Sequence, residues 1–310
     1  MRIFRDHTFI SAADRGATVA IGNFDGVHRG HQKVIEIARN AAPDAPLGIL
    51  TFEPHPRQYF APKAAPFRLM NAEARAHRLE KLGVERLYEL NFNASLSSLT
   101  APEFAKQVLA DGLGVAHVTV GADFCFGKDR GGNAQDLIAF GAEMGFGVTI
   151  AELVEDLGDE VSSSAIREAL SDGKPEVATR MLGHFHRMEG QVIRGDQRGR
   201  ELGFPTANMS IAGLHPPKFG VYAVRIDILT GPHAGTYDGA ASMGVRPMFG
   251  ENLPNLESYI FDFKGDIYGE EISVALIEYL RPEEKFDSLE ALITQMDADC
   301  ERARQILAAL

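Results

Sequence analysis

The chain divides by pattern into an α/β domain on a parallel sheet and a following antiparallel β domain, barrel or sandwich, closed by a helix. Three observations predict this. The first half alternates apolar runs of strand length with segments of helical period, which calls for parallel strands covered by helices on both faces. From about His186 onward strand-length runs follow one another with only turn chemistry between them. The chain then returns to helical spacing at its end.

In the first half, Thr18–Ile21, Leu47–Phe52, Arg86–Leu90, His117–Gly121 and Val148–Leu153 read as strands. Helical periods lie between them at His31–Ala42, Ala72–Leu82, Pro102–Gly112 and Ala134–Met144. Ser171-Asp-Gly-Lys-Pro175 is a break, and a short helix is expected at Glu176–Leu182. The composition switch places the domain boundary at 183/184, giving domains 1–183 and 184–310. In the second half, strands are expected at Met188–Arg194, Val221–Leu229, Tyr237–Gly244, Leu256–Phe263 and Ile272–Leu280. Gly231-Pro232, Gly250-Glu-Asn and Lys264-Gly265-Asp266 supply turns. A helix over Ser288–Leu310 carries Leu289, Leu292, Ile293, Met296, Ala303, Ile306, Leu307 and Leu310 on one stripe, the signature of packing.

Composition bounds the function classes. With 310 residues, 45% hydrophobic and 24% charged, the chain suits two ordinary globular domains. A net charge of −12 disfavours a nucleic-acid surface, which needs concentrated positive charge. No apolar run reaches the roughly 20 residues that span a bilayer, and the first residues lack a signal-peptide core. The cysteines Cys125 and Cys300 are distant and form no motif, as expected of free thiols in a reducing cytoplasm.

Chemistry concentrates where the first strand hands over to a helix, in Gly22-Asn23-Phe24-Asp25-Gly26-Val27-His28-Arg29-Gly30-His31. Glycines let backbone approach a ligand, and a helix N-terminus offers free N–H groups and a positive dipole end to phosphate. His28 and His31, at i and i+3, share one face of the first turn, where imidazoles donate to phosphate oxygens. A histidine-capped turn without chemistry is the plain alternative. No nearby third ligand completes a zinc set. Asp25 either anchors the turn or holds Mg²⁺ indirectly. Further on, Gly121–Gly132 combines glycines with Asp123, Phe124, Phe126, Lys128 and Arg130, a loop able to hold an aromatic phosphorylated ligand. Ser162, Ser163, Ser164 and Arg167 suit either helix capping or a phosphate clamp. His55 and Arg57, in a proline-stiffened loop, are weaker candidates.

The ten-residue turn resembles the His-x-Gly-His signature of nucleotidyltransferases, in the form found in bacterial bifunctional riboflavin kinase/FMN adenylyltransferases. Ser162–Arg167 is similar to that family's Ser-Ser-Thr-x-x-Arg motif, with serine for threonine. The resemblance implies a Rossmann-like nucleotidyltransferase domain. It implies charge stabilisation by His28 and His31, phosphate contacts from the three serines and Arg167, and a flavin or nucleotide contact from the Asp123–Phe124 loop. Many relatives carry arginine at the position of Cys125.

The second half holds Arg194-Gly-Asp-Gln-Arg-Gly199-Arg-Glu-Leu-Gly203-Phe-Pro205-Thr206-Ala-Asn208. Glycines able to wrap phosphates precede two neutral oxygen donors, Thr206 and Asn208, on one side of an extended segment, which suits Mg²⁺ held mainly by phosphates. No Gly-Lys-Ser/Thr follows, so this is not a Walker A loop. Pro-Thr-Ala-Asn resembles the signature of riboflavin kinases, and Gly220-Val-Tyr222, Gly244-Val-Arg246-Pro247, Glu257, Tyr268-Gly269 and Arg281-Pro-Glu283 follow in the family's order. The resemblance implies a β-barrel with a C-terminal helix, Thr206 and Asn208 on Mg²⁺, and Glu257 as the base toward the riboflavin hydroxyl. Gly199, Gly203, Pro205 and Arg281 would contact the nucleotide. Ser242, Met248 and Tyr259 depart from the family's usual Asn, Thr and His. The expected activity is phosphorylation of riboflavin to FMN by ATP and adenylylation of FMN to FAD. The partners would be riboflavin, FMN and ATP, with neither nucleic acid nor membrane. A flavin-binding protein with one working domain is the alternative.

Overall fold

The computed structural model describes residues 1–152, 161–195, 202–248 and 251–310. Packing divides the chain into two compact units. The first holds Met1–Ala64 and Arg75–Val161, and the second holds Ala65–Ala74 and Ser162–Leu310. This division lies upstream of the composition break at 183/184, because the helices that follow Ser162 share a core with Leu69 of the 65–74 segment.

Strands of the first unit are β1 (Arg2–Phe4), β2 (Thr18–Ile21), β3 (Leu47–Glu53), β4 (Arg86–Asn91), β5 (His117–Gly121), the short β6 (Cys125–Phe126) and β7 (Gly132–Asn133), and β8 (Gly147–Ala151). Six of them form one parallel sheet in the order β1-β4-β3-β2-β5-β8. The expected strands are all present. Leu153 of the last one lies outside the described residues. β1 was not legible, being three residues with an exposed pattern. The helices are α1 (Arg29–Ala41), α2 (Pro56–Phe60), α3 (Ala72–Lys81), α4 (Ala94–Ser97), α5 (Ala101–Glu103) and α6 (Ala134–Met144). α5 runs on as a wide π-type helix over Phe104–Leu113 that ends at the left-handed Gly114. The core gathers Val19, Ile21 and Leu50 of the sheet with Leu109, Leu113 and Leu137 of the helices. The chain runs from β2 outward through β3 and β4, then returns to place β5 on the other side of β2. Their carboxyl ends therefore flank the crevice where such sheets bind ligands.

The second unit contains α7 (Ser163–Ser171), α8 (Pro175–Leu182), β9 (Arg187–Gln191), β10 (Thr206–Ser210), β11 (Gly220–Ile228), β12 (Gly235–Met248), β13 (Glu251–Ile260), β14 (Glu271–Arg281) and α9 (Leu289–Leu307). Six antiparallel strands run β10-β13-β12-β11-β14-β9. The two edges then meet, because a bridge pairs Ile193 with Asn208, and the sheet nearly closes into a barrel. Barrel closure removes exposed sheet edges. Tyr222, Val224 and Ile226 point into the barrel with Met209, Leu256 and Leu276. Ala223 and Ala275 point outward against Ala303 and Leu307 of α9. That double burial explains why β11 and β14 read as apolar runs without clean alternation. β13 ends three residues before the expected Phe263, because Asp262 turns left-handed at φ 55°. α9 is capped by Ser288 as expected but ends at Leu307, three residues before the expected Leu310, and both Leu289 and Leu310 are exposed and stand outside the packing stripe.

Candidate active sites

In the first unit the turn after β2 is tightly wound. Phe24, Gly26 and Val27 all take left-handed backbone, at φ 51°, 88° and 46°. Phe24 and the β-branched Val27 are strained in that region, and both are fully buried, so packing holds them there. The result presents His28 as the N-cap of α1. Its Nδ1 accepts the His31 backbone N–H at 3.3 Å, which leaves the neutral ring's proton on Nε2. The His28 and His31 rings stack with centroids 3.6 Å apart, and Phe24 lies 5.1 Å from His31. Burial first, and the neighbouring His28 second, push the His31 pKa well below that of a free histidine, so the ring is neutral at pH 7. Its Nδ1 is buried without a hydrogen-bond partner in the described residues. Gly30 packs closely beneath this stack: a Cβ there would stand 3.2 Å from the His28 ring, which would have to give by a few tenths of an ångström. Gly22 and Asn23 begin the turn and Asp25 is buried within it.

Asp123 is exposed and Phe124 half-buried on the loop after β5, where Phe124 stacks on Phe126 at 5.4 Å. Cys125 is a free thiol beside them. His55 caps α2 by accepting the Arg57 N–H at 3.0 Å. In the second unit Ser162 caps α7, accepting the Ala165 N–H at 3.2 Å, with Ser163 and the exposed Ser164 next to it. Arg167, one turn along, donates from Nε to the Phe67 carbonyl and lies over the Phe67 ring at 5.4 Å.

The barrel brings the kinase-like residues together. Asn208 on β10 pairs directly with Glu257 on β13, and Thr206 with Tyr259. Directly paired residues share a face, so Thr206, Asn208, Glu257 and Tyr259 stand on the side away from core Met209 and Leu256. Ser242 pairs with Glu257 from β12 on that same face. Asn208 Nδ2 donates to Thr206 Oγ1 at 3.4 Å, and buried Asn255 donates from Nδ2 to Asn208 Oδ1 at 3.0 Å. A cleft of about 260 Å³ opens beside them, lined by Thr206, Asn208, Gly195, Pro205, Lys264 and Tyr268 among others. The approach of Gly195 is so close that a Cβ would stand 2.6 Å from the Asn208 amide. Two neutral hard oxygens with one carboxylate opposite are too few to hold a bare divalent ion and fit Mg²⁺ arriving on nucleotide phosphates. Gly203 is exposed at φ 88°, Gly199 lies outside the described residues, and the Met248 side chain is not described. Arg281 is engaged elsewhere. Its Nε and Nη2 grip both carboxylate oxygens of Asp299 on α9 at 2.8–3.0 Å.

Sequence reasoning missed several residues. Asn255 shares the period-2 face of Glu257, a signal that was available. Arg75 and Glu89, both buried, and half-buried Glu53 form an ion-pair set under the histidine turn, and nothing in their spacing announces it. Asp299 hides in the apolar stripe of α9.

Comparison with known proteins identifies the family of each half of the chain. Residues 10–165 match the FAD synthetase family model and 182–307 the riboflavin kinase model. A bifunctional riboflavin kinase/FMN adenylyltransferase of Pseudomonas fluorescens is 41% identical over 99% of this chain and 98% of its own length. One from Escherichia coli K12 is 35% identical over 98% and 97%. A crystal structure described as a macrolide-efflux protein from Streptococcus pneumoniae matches with a TM-score of 0.81 and 32% identity, covering 98% of each chain. Among the described residues of this chain, no helix is long and apolar enough to cross a membrane. With both family models matched and near full-length identity to such enzymes, the chain belongs to the bifunctional riboflavin kinase/FMN adenylyltransferase family.

Proposed function

We propose that the chain makes both flavin cofactors in sequence, with Glu257 as the base of the first step and the His28–His31 pair as the charge stabiliser of the second. It phosphorylates riboflavin to FMN with ATP, then adenylylates FMN to FAD with release of pyrophosphate. The pairing of Asn208 with Glu257 across β10 and β13 is the observation that carries the first assignment. Glu257 takes the proton of the riboflavin 5′-hydroxyl as its oxygen bonds the γ-phosphorus and ADP leaves. Thr206 and Asn208 would hold Mg²⁺ with the ATP phosphates, and the ion supplies charge neutralisation on the phosphate oxygens when bound. Gly199, Gly203 and Pro205 shape the backbone around those phosphates. Arg281 acts there through the end of β14, which its pair with Asp299 fixes.

In the second step an FMN phosphate oxygen bonds the α-phosphorus of ATP and the bond to pyrophosphate breaks. His28 and neutral His31 donate ring N–H groups to the oxygens where charge grows, while Gly22, Asn23, Phe24, Asp25 and Gly30 form the backbone cradle. Ser162, Ser163, Ser164 and Arg167 bind phosphate, and Asp123 and Phe124 contact the flavin or nucleotide. No covalent enzyme intermediate is needed, since positioning and charge suffice. The functional boundary is proposed at 183/184, two residues inside the start of the region that matches the riboflavin kinase model. The compartment is the cytoplasm, in keeping with two free thiols.

The test is a chromatographic time course with riboflavin, ATP and Mg²⁺. FMN should appear before FAD. Glu257→Gln should stop FMN formation yet still convert added FMN to FAD, and His28→Ala should do the reverse. A Glu257→Gln enzyme that phosphorylates riboflavin at the wild-type rate would remove the base assignment. A wild-type enzyme that stops at FMN would remove the assignment of the histidine turn.

A further inference from the structure

A guanidinium sits fully buried beneath the strained histidine turn. Arg75 on α3 is 0% exposed. Its Nη2 pairs with Glu53 at 2.9 Å and Glu89 at 2.8 Å, at the ends of β3 and β4. Glu89 also receives Arg5 at 2.8 Å, so two cations and two carboxylates balance in this set. Arg75 Nη1 points the other way and donates to the Asn23 carbonyl at 3.4 Å. The same carbonyl accepts Thr51 Oγ1 at 3.3 Å. Asn23 is the residue just before left-handed Phe24, and its own side chain is exposed.

Burying a charge for packing alone is unfavourable, and an apolar side chain would fill the space at less cost. A planar fork held by two carboxylates, however, fixes its remaining N–H direction far more rigidly than a neutral side chain can. Strained backbone persists only where its surroundings over-determine it. Here the turn is pinned at its far end by α1 and at its near end by the Asn23 carbonyl. We propose that Arg75 is a positioning residue for adenylyl transfer: its carboxylate-braced guanidinium fixes the entry to the left-handed turn and so sets where the stacked His28–His31 pair stands. The inference rests on the reading of that turn as the adenylyl-transfer site. Arg75 touches neither histidine nor a reacting atom, and its effect passes through the backbone from Asn23 to His28.

The experiment measures both activities on one chain, with the kinase rate reporting on the integrity of the preparation. Arg75→Met alone leaves the carboxylates of Glu53 and Glu89 with Arg5 as the one cation of the set and risks misfolding, so the decisive variant is Arg75→Met with Glu89→Gln, which removes one charge of each sign. The expected result is a kcat for FMN adenylylation lowered at least about tenfold with KM for ATP within about twofold, and an unchanged kinase rate. The histidine ring resonances of the first unit should shift in nitrogen-detected NMR, and Arg75→Lys should recover part of the kcat. Three results would overturn the proposal: adenylylation within about twofold of wild type, unshifted histidine resonances, or kcat and KM worsening together with a lowered melting temperature. A wild-type chain that makes no FAD would instead remove the reading of the site itself.

Discussion

A single methyl group at Gly195 should separate the two activities. An ideal Cβ there stands 2.6 Å from Asn208 Cγ and Nδ2 and 2.7 Å from Oδ1. Carbon contacts settle at about 3.5–4.0 Å, so Gly195→Ala demands about 1 Å of separation. Asn208 cannot supply it by rotating. It is 9% exposed, its Oδ1 is held by Asn255 and its backbone carbonyl accepts the Ile193 N–H at 2.8 Å. Overpacking of this kind costs about 1–3 kcal/mol of stability, which a domain of this size survives. The site is more sensitive, because a 1 Å misplacement of a positioning group costs about 10²-fold in rate, or about 2.7 kcal/mol of transition-state stabilisation. The assay follows riboflavin to FMN and, separately, FMN to FAD on the same preparation. Gly195→Ala should slow the first about a hundredfold and leave the second within about twofold. A well-folded variant whose riboflavin phosphorylation stays within about threefold of wild type would refute the reasoning, since Asn208 would then have no need of its present place.

The remaining predictions concern the second unit. His186 is 2% exposed, and burial, with His184 and His215 adding to it, lowers its pKa to about 3. The unfolded chain therefore takes up a proton that the folded one refuses. The associated stability is complete above about pH 6.5 and falls by about 1.4 kcal/mol per unit below it, about 2 kcal/mol by pH 5. Urea unfolding of His186→Leu between pH 7.5 and 5 should lack that slope, and an equal slope in the variant would dismiss His186 as its source. Asp299→Ala leaves the Arg281 fork unpaired against α9, and should cost about 3 kcal/mol of stability in the second unit by denaturant titration. A loss under about 1 kcal/mol would mean that the pair behaves as a solvated surface bridge.

How far the sequence could be read followed the physics of each element. β2 and β5 were legible to the residue because both are short β-branched runs bounded by turns, β2 buried throughout and β5 buried at its three central residues. The helix after the histidine turn was legible, yet of its apolar residues Ile35 and Ala38 are buried while Val34 and Ile37 are half-buried. β1 escaped because an exposed edge strand carries no apolar signature. β10 was hidden inside a motif read for its chemistry, although its alternation of Ala207 and Met209 inward with Thr206 and Asn208 outward is that of a strand. The division of the chain was blurred because composition changes after α8, whereas packing changes before α7. His28, His31, Thr206, Asn208 and Glu257 were singled out by local motif and order alone. Arg75, Asn255 and Asp299 were not, since each matters through a partner distant in sequence.

The bridge between Ile193 and Asn208 has a kinetic corollary. The two edges of the sheet meet there through the Ile193 amide, and the residue that receives it also lines the cleft beside Thr206. The seam can open locally only by letting go of Asn208, and a ligand that grips Asn208 must hold the seam shut by the same free energy. The deuterium uptake of one backbone amide thus becomes a gauge of cleft occupancy: Ile193 should exchange more slowly as ATP with Mg²⁺ is added, while amides in the middle of β11 keep their pace.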